Sequence, residues 1–449
     1  MYKNDISTCG RNPYIFKRGN CTTMRLVHWS LMVIFLFSVI FIPYHANEAE
    51  MMSRPNKSRS EGQDSSLLFS SEIPIYTANN TTLLREINII DTDRNSRPEI
   101  AIQKPGVGGG IFIWEHSNKS FILKTKITPT AYYNPFYIDM RLLVTDLQLD
   151  GWFDIINNLY RISGGKNSSF SQNITLIGYG DNFYILSGIA IGDVDADGDF
   201  DIMVSNAGTA SQNIVCLGPL LNINGSALFY DSSWTKGLPP YRGYGYGARD
   251  MKLVDVNGDG WLDLVTTMGN NGESPPWKHE DKAYFVWLSD GHGNWTNAST
   301  GFPYGDPTLL IVGFRVDLMD YDNDGDMDIF MTFLNGSWDT STNVGSLVIY
   351  RNDGHARWRN VGTPYARCDD ISFALADVDG DGNGDFAVYY EKDGKNVLEV
   401  NLGDGDGNWT RYRICERKSP HTNITSVLLE DVNLDGMLDI ITNNGTAVG

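Results

Sequence analysis

Short apolar runs alternate with acidic loops along most of this chain. The runs before the loops are rich in β-branched and aliphatic residues, as in Ser187–Gly192, Met251–Val254 and Ser426–Leu429. The runs after the loops, such as DIMVSNAG from Asp201 and DIITNNG from Asp439, end in glycine turns. Apolar runs of this length bounded by turn residues are typical of buried β-strands. The pattern therefore predicts a repeated unit of strand, acidic loop, strand, glycine turn, third strand, turn and fourth strand.

The acidic loop recurs seven times, at intervals of about fifty to sixty-five residues. The five clearest copies begin at Asp193, Asp255, Asp320, Asp377 and Asp431, a weaker copy begins at Asp146, and a decayed copy begins at Asp91. A four-stranded antiparallel unit cannot bury both of its faces without neighbours, and seven such units close a ring. The sequence predicts an all-β fold, a seven-bladed β-propeller.

Each clear copy of the loop has Asp or Asn at positions 1, 3, 5 and 9, and Gly follows position 5. The short side chains converge on one point, and their carboxylates repel one another unless a cation lies between them. Oxygen ligands without Cys or His favour a hard ion, and a flexible shell suits Ca²⁺ better than Mg²⁺. The loop is not an EF-hand, because its position 12 is never acidic and its flanks are strands.

At this point the residues resemble a known family. The stretch YGYGARDMKLVDVNGDGWLDLVTTMG from Tyr244 resembles an FG-GAP repeat, the blade unit of the integrin alpha-subunit head, and the DGHGNWT and DGDGNWT turns are similar to VCBS-type repeats. The resemblance runs from about Leu83 to the C-terminus. It implies a seven-bladed propeller with Ca²⁺ in hairpin loops on one face, bound by the side chains at positions 1, 3, 5 and 9 and the carbonyl of position 7.

Carried onto this sequence, the implied ligands are Asp193, Asp195, Asp197 and Asp201; Asp255, Asn257, Asp259 and Asp263; Asp320, Asp322, Asp324 and Asp328; Asp377, Asp379, Asp381 and Asp385; and Asp431, Asn433, Asp435 and Asp439. In the weaker copy, Asp146, Asp150 and Asp154 are candidate ligands, although Gln148 occupies position 3. The decayed copy lacks the glycine and carries Arg94 and Arg97, so we interpret it as a structural turn without a metal.

The seventh unit has its first two strands and then reaches Gly449. In propellers of this kind an N-terminal strand often completes the last blade, and the segment Leu67–Thr77 is a candidate for that strand. Either the last blade is short or the chain is a fragment, and the ending TAVG favours a fragment.

The N-terminal region carries a candidate membrane segment. Residues 26–42 contain no Asp, Glu, Lys or Arg, and Lys17, Arg18 and Arg25 precede them. That length and flank predict a short cytoplasmic segment over 1–25, a transmembrane signal-anchor over 26–42, a flexible stalk over 43–66 and the propeller over 67–449. A cleaved signal peptide, which would make the protein secreted, is the alternative, but Tyr44 is a poor residue before a cleavage site at Ala46.

Composition agrees with an extracellular location. Thirteen Asn-x-Ser/Thr sequons follow the apolar segment and predict a glycoprotein. The net charge of −20 is carried largely by the loops, where bound calcium would neutralise much of it, and it argues against nucleic acid as a partner.

The chain has only scattered histidines and no HExxH, GxSxG or CxxC motif, so the sequence predicts that the protein is not an enzyme. It predicts instead a calcium-stabilised propeller displayed outside the cell, which binds a protein or glycan ligand in adhesion or recognition. The alternatives are a secreted propeller lectin and a polysaccharide lyase built on a calcium propeller. The segments from Gly237 to Gly247 and from Asn270 to Glu280 carry residue types common in binding hot spots.

Overall fold

The fold was analysed in a computed structural model of the 449-residue chain. The structure describes residues 75–77, 87–104, 110–117, 120–127, 142–157, 160–166, 169–170, 175–176, 186–206, 217–225, 228–238, 248, 250–267, 285–302, 311–335, 344–418, 426–442 and 447–448. The chain divides into two units, 1–45 and 46–449, and the described residues all lie in the second. They form β-strands joined by loops, with one short 3-10 helix at Ser232–Thr235.

The first three blades are separate four-stranded antiparallel sheets. Blade 1 contains β2 (Ile87–Ile90), β3 (Glu99–Lys104), β4 (Gly110–Ser117) and β5 (Ser120–Ile127). Blade 2 contains β6 (Leu142–Thr145), β7 (Asp154–Asn157), β8 (Tyr160–Ile162) and β11 (Thr175–Leu176), with the small hairpin of β9 (Gly164–Gly165) and β10 (Ser169–Phe170) inserted before its last strand. Blade 3 contains β12 (Leu186–Gly192), β13 (Asp201–Asn206), β14 (Leu217–Asn222) and β15 (Leu228–Tyr230).

The next three blades continue the same order. Blade 4 contains β16 (Met251–Val254), β17 (Asp263–Thr266), β18 (Val286–Ser289) and β19 (Trp295–Asn297). Blades 5 and 6 contain β20 (Ile311–Met319), β21 (Asp328–Asn335), β22 (Val344–Asn352), β23 (Trp358–Ala376), β24 (Asp385–Lys392), β25 (Lys395–Gly403) and β26 (Trp409–Lys418). The 19-residue β23 serves both blades: its first part pairs with β22, and its part from Asp369 onwards pairs with β24.

The described residues form six four-stranded blades, so the prediction of seven blades is wrong in number. The seventh repeat contributes only a two-stranded hairpin, β27 (Val427–Glu430) with β28 (Asp439–Thr442). A separate pair, β1 (Tyr76–Thr77) with β29 (Ala447–Val448), joins the N-terminal part of the fold to its last residues. The acidic-loop count overstated the blades because the motif marks only the first two strands of a unit.

The first strands of successive sheets lie side by side: β2 is next to β6, β12 next to β16, β16 next to β20, and β20 next to β23. The hairpin strand β27 contacts both β23 and β2. Apolar clusters fill the spaces between successive sheets. Between blades 5 and 6, for example, Phe330 and Leu347 pack with Phe373 and Phe386. Such clusters bury the facing sides of neighbouring sheets, as the repeat pattern required.

No helix in the described parts of the chain is long and apolar enough to cross a membrane. The predicted signal-anchor at 26–42 and the stalk at 43–66 lie outside the described residues.

Candidate metal centre

All seven acidic loops share one backbone arrangement, built around the carboxylate at position 1. In the fifth repeat, the amides of Asp324 and Gly325 donate to the two oxygens of Asp320, at 3.1 and 2.9 Å. The same two bonds, from positions 5 and 6 to position 1, occur at Asp91, Asp146, Asp193, Asp255, Asp377 and Asp431. The position 1 aspartate therefore orders the loop by itself, because it satisfies two amides that would otherwise lack partners.

Two residues of each loop have left-handed backbone. Position 6 has positive φ in every repeat, which explains its glycine in six of the seven copies. Position 4 also has positive φ, which could not be predicted from the sequence because only Gly258 and Gly380 are glycines there. Leu149 at φ 56° and Leu434 at φ 61° occupy this position with large exposed side chains. A branched side chain at positive φ is uncommon and strained.

The aspartate at position 9 ties the loop to the third strand of its blade. Asp328 is fully buried and accepts from the amides of Tyr321 at 3.3 Å and Asn352 at 2.7 Å. Asp201, Asp263 and Asp385 make the equivalent pair of bonds. The sequence predicted position 9 only as a ligand, whereas the structure gives it this second role in joining two segments.

Asparagines on third strands connect neighbouring loops. The side-chain amide of Asn352 donates to the carbonyl of Val256 at 2.7 Å, in the loop of the preceding blade. Asn222 makes the equivalent bond to the carbonyl of Leu147 at 3.0 Å. Each of these bonds connects the third strand of one blade to the acidic loop of the blade before it.

Three of the predicted sites bring three carboxylates together, with one oxygen of each within 4.8 Å of the others. These groups are Asp193, Asp195 and Asp197; Asp320, Asp322 and Asp328; and Asp377, Asp379 and Asp385. The decayed loop also gathers three, namely Asp91, Asp93 and Glu99.

The remaining loops do not bring three carboxylates this close within the described residues. In the seventh repeat, the Asn433 amide nitrogen donates to both oxygens of Asp439, at 3.2 and 3.0 Å. In the fourth, Asn257 donates to Asp259 at 3.0 Å. Gln148 stands at position 3 of the Asp146 loop. At these three sites the third carboxylate is absent from position 3, so the ligand set is less acidic.

Burial raises the pKa of the position 9 carboxyls, and the neighbouring loop carboxylates raise it further. The pKa is about 7 for Asp201, Asp263 and Asp385 and about 8 for Asp328. Burial raises the pKa of Asp154 to about 6. A cation among these groups would stabilise their ionised form.

The buried carboxylate oxygens without a hydrogen-bond partner among the described residues include Asp322 Oδ1, Asp154 Oδ2 and Asp199 Oδ1. The other oxygen of Asp322 accepts from Arg351 at 3.1 Å, a contact that the sequence did not predict. A buried anionic oxygen without a donor is costly, and a hard cation is the partner that oxygen ligands of this kind take. The donor set fits a divalent ion.

Comparison with known proteins agrees with the repeat geometry. A family of FG-GAP-like repeats matches residues 255–331, 320–388 and 377–442, and each match begins at position 1 of an acidic loop. The three FG-GAP-like repeats and the arrangement of the blades support an FG-GAP repeat β-propeller. The predicted resemblance to FG-GAP repeats is confirmed, although the propeller has six four-stranded blades. No curated protein sequence matches this chain.

Solved structures that resemble this chain at low identity include an enzyme and a semaphorin. An α-L-arabinanase of Penicillium chrysogenum, complexed with arabinobiose, is 13% identical with a TM-score of 0.39, and the match covers 84% of this chain and 95% of that one. Drosophila Semaphorin 2a is 9% identical with a TM-score of 0.26, and the match covers 82% of this chain and 62% of that one. Both TM-scores are too low to transfer an activity or a partner.

The arabinanase corrects one prediction. The missing catalytic motifs predicted that the protein is not an enzyme, yet a solved structure similar to it is an enzyme with a propeller fold. Scattered histidines on a propeller are therefore no ground for excluding catalysis, and that exclusion is withdrawn. At 13% identity, the similarity assigns no reaction to this chain.

Proposed function

We propose that the FG-GAP repeat propeller binds Ca²⁺ in its acidic loops, and that the bound ions stabilise those loops. The observation that carries the proposal is in the fifth repeat. There, oxygens of Asp320, Asp322 and Asp328 lie within 4.8 Å of one another, and Asp322 Oδ1 is buried without a donor. Carboxylate oxygens from one loop of this length suit the flexible shell of calcium.

We extend the proposal to the location of the protein and to its role. The apolar segment at 26–42 would anchor the chain in a membrane with the propeller on the extracellular or lumenal side, where calcium is plentiful. A rigid ring bearing variable loops suits a recognition or adhesion module for a protein or glycan ligand. The candidate recognition residues Tyr241, Arg242, Tyr244 and Trp277 lie outside the described residues.

The calcium proposal is tested on the full-length chain in mild detergent, after treatment with chelator. Calorimetric titration with Ca²⁺ and with Mg²⁺ gives the number of ions bound, and thermal melts give their effect on stability. A site with a dissociation constant near 10⁻⁴ M adds about 1.4 kcal/mol at 1 mM calcium. Unchanged melts with and without calcium would refute the proposal.

A matched pair of variants locates one ion. Asp324, at position 5, is a proposed ligand through its side chain, whereas Asp326, at position 7, is proposed to use only its carbonyl. Asp324→Ala should bind one ion fewer than the wild type, and Asp326→Ala should bind the same number, although each variant loses one negative charge. Equal ion counts in both variants would contradict the assigned ligands.

The recognition proposal is tested by screening the same protein against glycans and cell-surface ectodomains, with calcium and with chelator. A ligand that binds in both conditions would separate recognition from the calcium sites. The absence of any ligand in either class would contradict the recognition role.

A further inference from the structure

Lys124 extends from β5, the fourth strand of blade 1, into the acidic loop of the first repeat. Its Nζ donates to Asp93 Oδ2 at 2.8 Å and to Glu99 Oε1, and it lies 3.8 Å from Glu115 Oε2. The Lys124 side chain is 14% exposed and that of Glu99 is fully buried. An ammonium group this buried requires anionic partners, and here the loop supplies two of them.

The carboxylates around Lys124 are those of the metal-loop pattern. Asp91, Asp93 and Glu99 occupy positions 1, 3 and 9, and one oxygen of each lies within 4.8 Å of the others. The amides of Asn95 and Ser96 donate to Asp91, at 3.1 and 2.9 Å, as positions 5 and 6 do elsewhere. The first repeat therefore keeps the shape of the loop although it lacks the glycine.

We propose that the Lys124 ammonium is the resident cation of the first repeat and takes the place that a divalent ion would take in a complete loop. The ammonium can take the place of a metal ion because it neutralises part of the clustered negative charge and donates hydrogen bonds to carboxylate oxygens. The two carboxylates that it contacts are no longer available as ligands while it remains there.

Other repeats differ from the first in the basic residues near their acidic loops. The fourth strands β15 (LFY) and β19 (WTN) of blades 3 and 4, whose loops keep Asp or Asn at positions 1, 3, 5 and 9, contain no Lys or Arg. In the fifth repeat, Arg351 contacts Asp322 through one oxygen and leaves Oδ1 without a donor. A lysine that bridges two ligand positions within the described residues thus coincides with the loop whose sequence has decayed.

The position of blade 1 in the ring gives the Lys124 ammonium a role in the stability of the metal-free protein. Strand β2 of blade 1 lies beside β27, the hairpin strand of the last repeat, so blade 1 flanks the place where the ring closes. An internal cation keeps the first loop ordered at any calcium concentration. Blade 1 should therefore retain its structure in chelator.

The first test compares melting temperatures in chelator, which makes it independent of calcium binding elsewhere. Lys124→Met leaves the carboxylates of Asp93 and Glu99 without their cation, and we expect a loss of roughly 5 °C. The control is Lys252→Met, which removes an ion pair to Asp317 that is more exposed, 39% at the lysine. Lys124→Met/Asp93→Ala should recover part of the loss, because it removes one of the repelling carboxylates.

The second test counts bound calcium by native mass spectrometry of the full-length chain in detergent. Lys124→Met should bind one ion more than the wild type, and the double variant should lose that extra ion. Lys124→Arg keeps the positive charge and should match the wild-type count, which provides a variant for comparison if Lys124→Met does not fold.

Three results would overturn the proposal: melting of Lys124→Met equal to that of Lys252→Met, a melting loss without an extra ion, or an extra ion in Lys124→Arg. The second would reduce Lys124 to an ordinary buried ion pair. If the wild type binds no calcium, the proposed function fails, but the difference of one ion between variant and wild type still decides this inference.

Discussion

The metal-free propeller should lose stability as the pH rises from about 5 to about 7. Burial raises the pKa of Asp201, Asp263 and Asp385 to about 7 and that of Asp328 to about 8, from a model-compound value of 3.8. In this interval the folded protein holds these carboxyls protonated while the unfolded chain has released the protons. Folding therefore takes up protons, and its free energy becomes less favourable at each higher pH.

The size of the effect follows from the number of such groups. Each aspartate that is protonated only in the folded state costs about 1.4 kcal/mol per pH unit, so the four together set a ceiling of roughly 5 kcal/mol per unit. Bound calcium would reverse the trend, because it requires ionised ligands and binds more tightly as the pH rises.

Urea unfolding at several pH values between 5 and 8, with chelator and with calcium, measures these slopes. Asp328→Asn is the control, because it removes one titrating group and should reduce the chelator slope by about 1.4 kcal/mol per pH unit. A general repulsion between surface charges would give the variant and the wild type the same slope of unfolding free energy against pH. Equal slopes, or a metal-free wild type that gains stability between pH 5 and 7, would refute the reasoning.

Three further substitutions test the loops and the contacts between blades. Leu149→Asn should raise the free energy of unfolding by about 0.5–1 kcal/mol in chelator, because Leu149 has φ 56° and is 51% exposed; no change in a urea melt would contradict this strain. Trp295→Phe should cost about 1–2 kcal/mol in urea unfolding, since Trp295 Nε1 donates to the carbonyl of Trp234 at 2.9 Å, and the less buried Trp261→Phe is its control. Asn352→Ala should destabilise by about 1–3 kcal/mol, because it leaves the Val256 carbonyl in the loop of the preceding blade without this donor; a loss no greater than that of an exposed Asn→Ala control would count against this connection between blades.

Much of the fold could be predicted from the sequence. The alternation of apolar runs and acidic loops predicted the strands, their antiparallel order and the propeller, because each of these depends on residues close together in sequence. The chemistry of the loops was equally local: positions 1, 5 and 6 lie within six residues, and their hydrogen bonds form inside the loop. The FG-GAP resemblance rested on the same short motif and was confirmed for the same reason.

What the tertiary structure decided depends on residues far apart in the chain. Lys124 donates hydrogen bonds to carboxylates 31 and 25 residues away in the sequence, and Asn352 donates to a carbonyl 96 residues away. The number of complete blades likewise depended on which strands pair, such as β23, which serves two blades, and not on how many loops the sequence contains. The sequence by itself thus determined which local units form, because each turn and strand is specified by its own residues. Only the folded chain decided which charges and amides meet, because such contacts require the ring to bring separate repeats together.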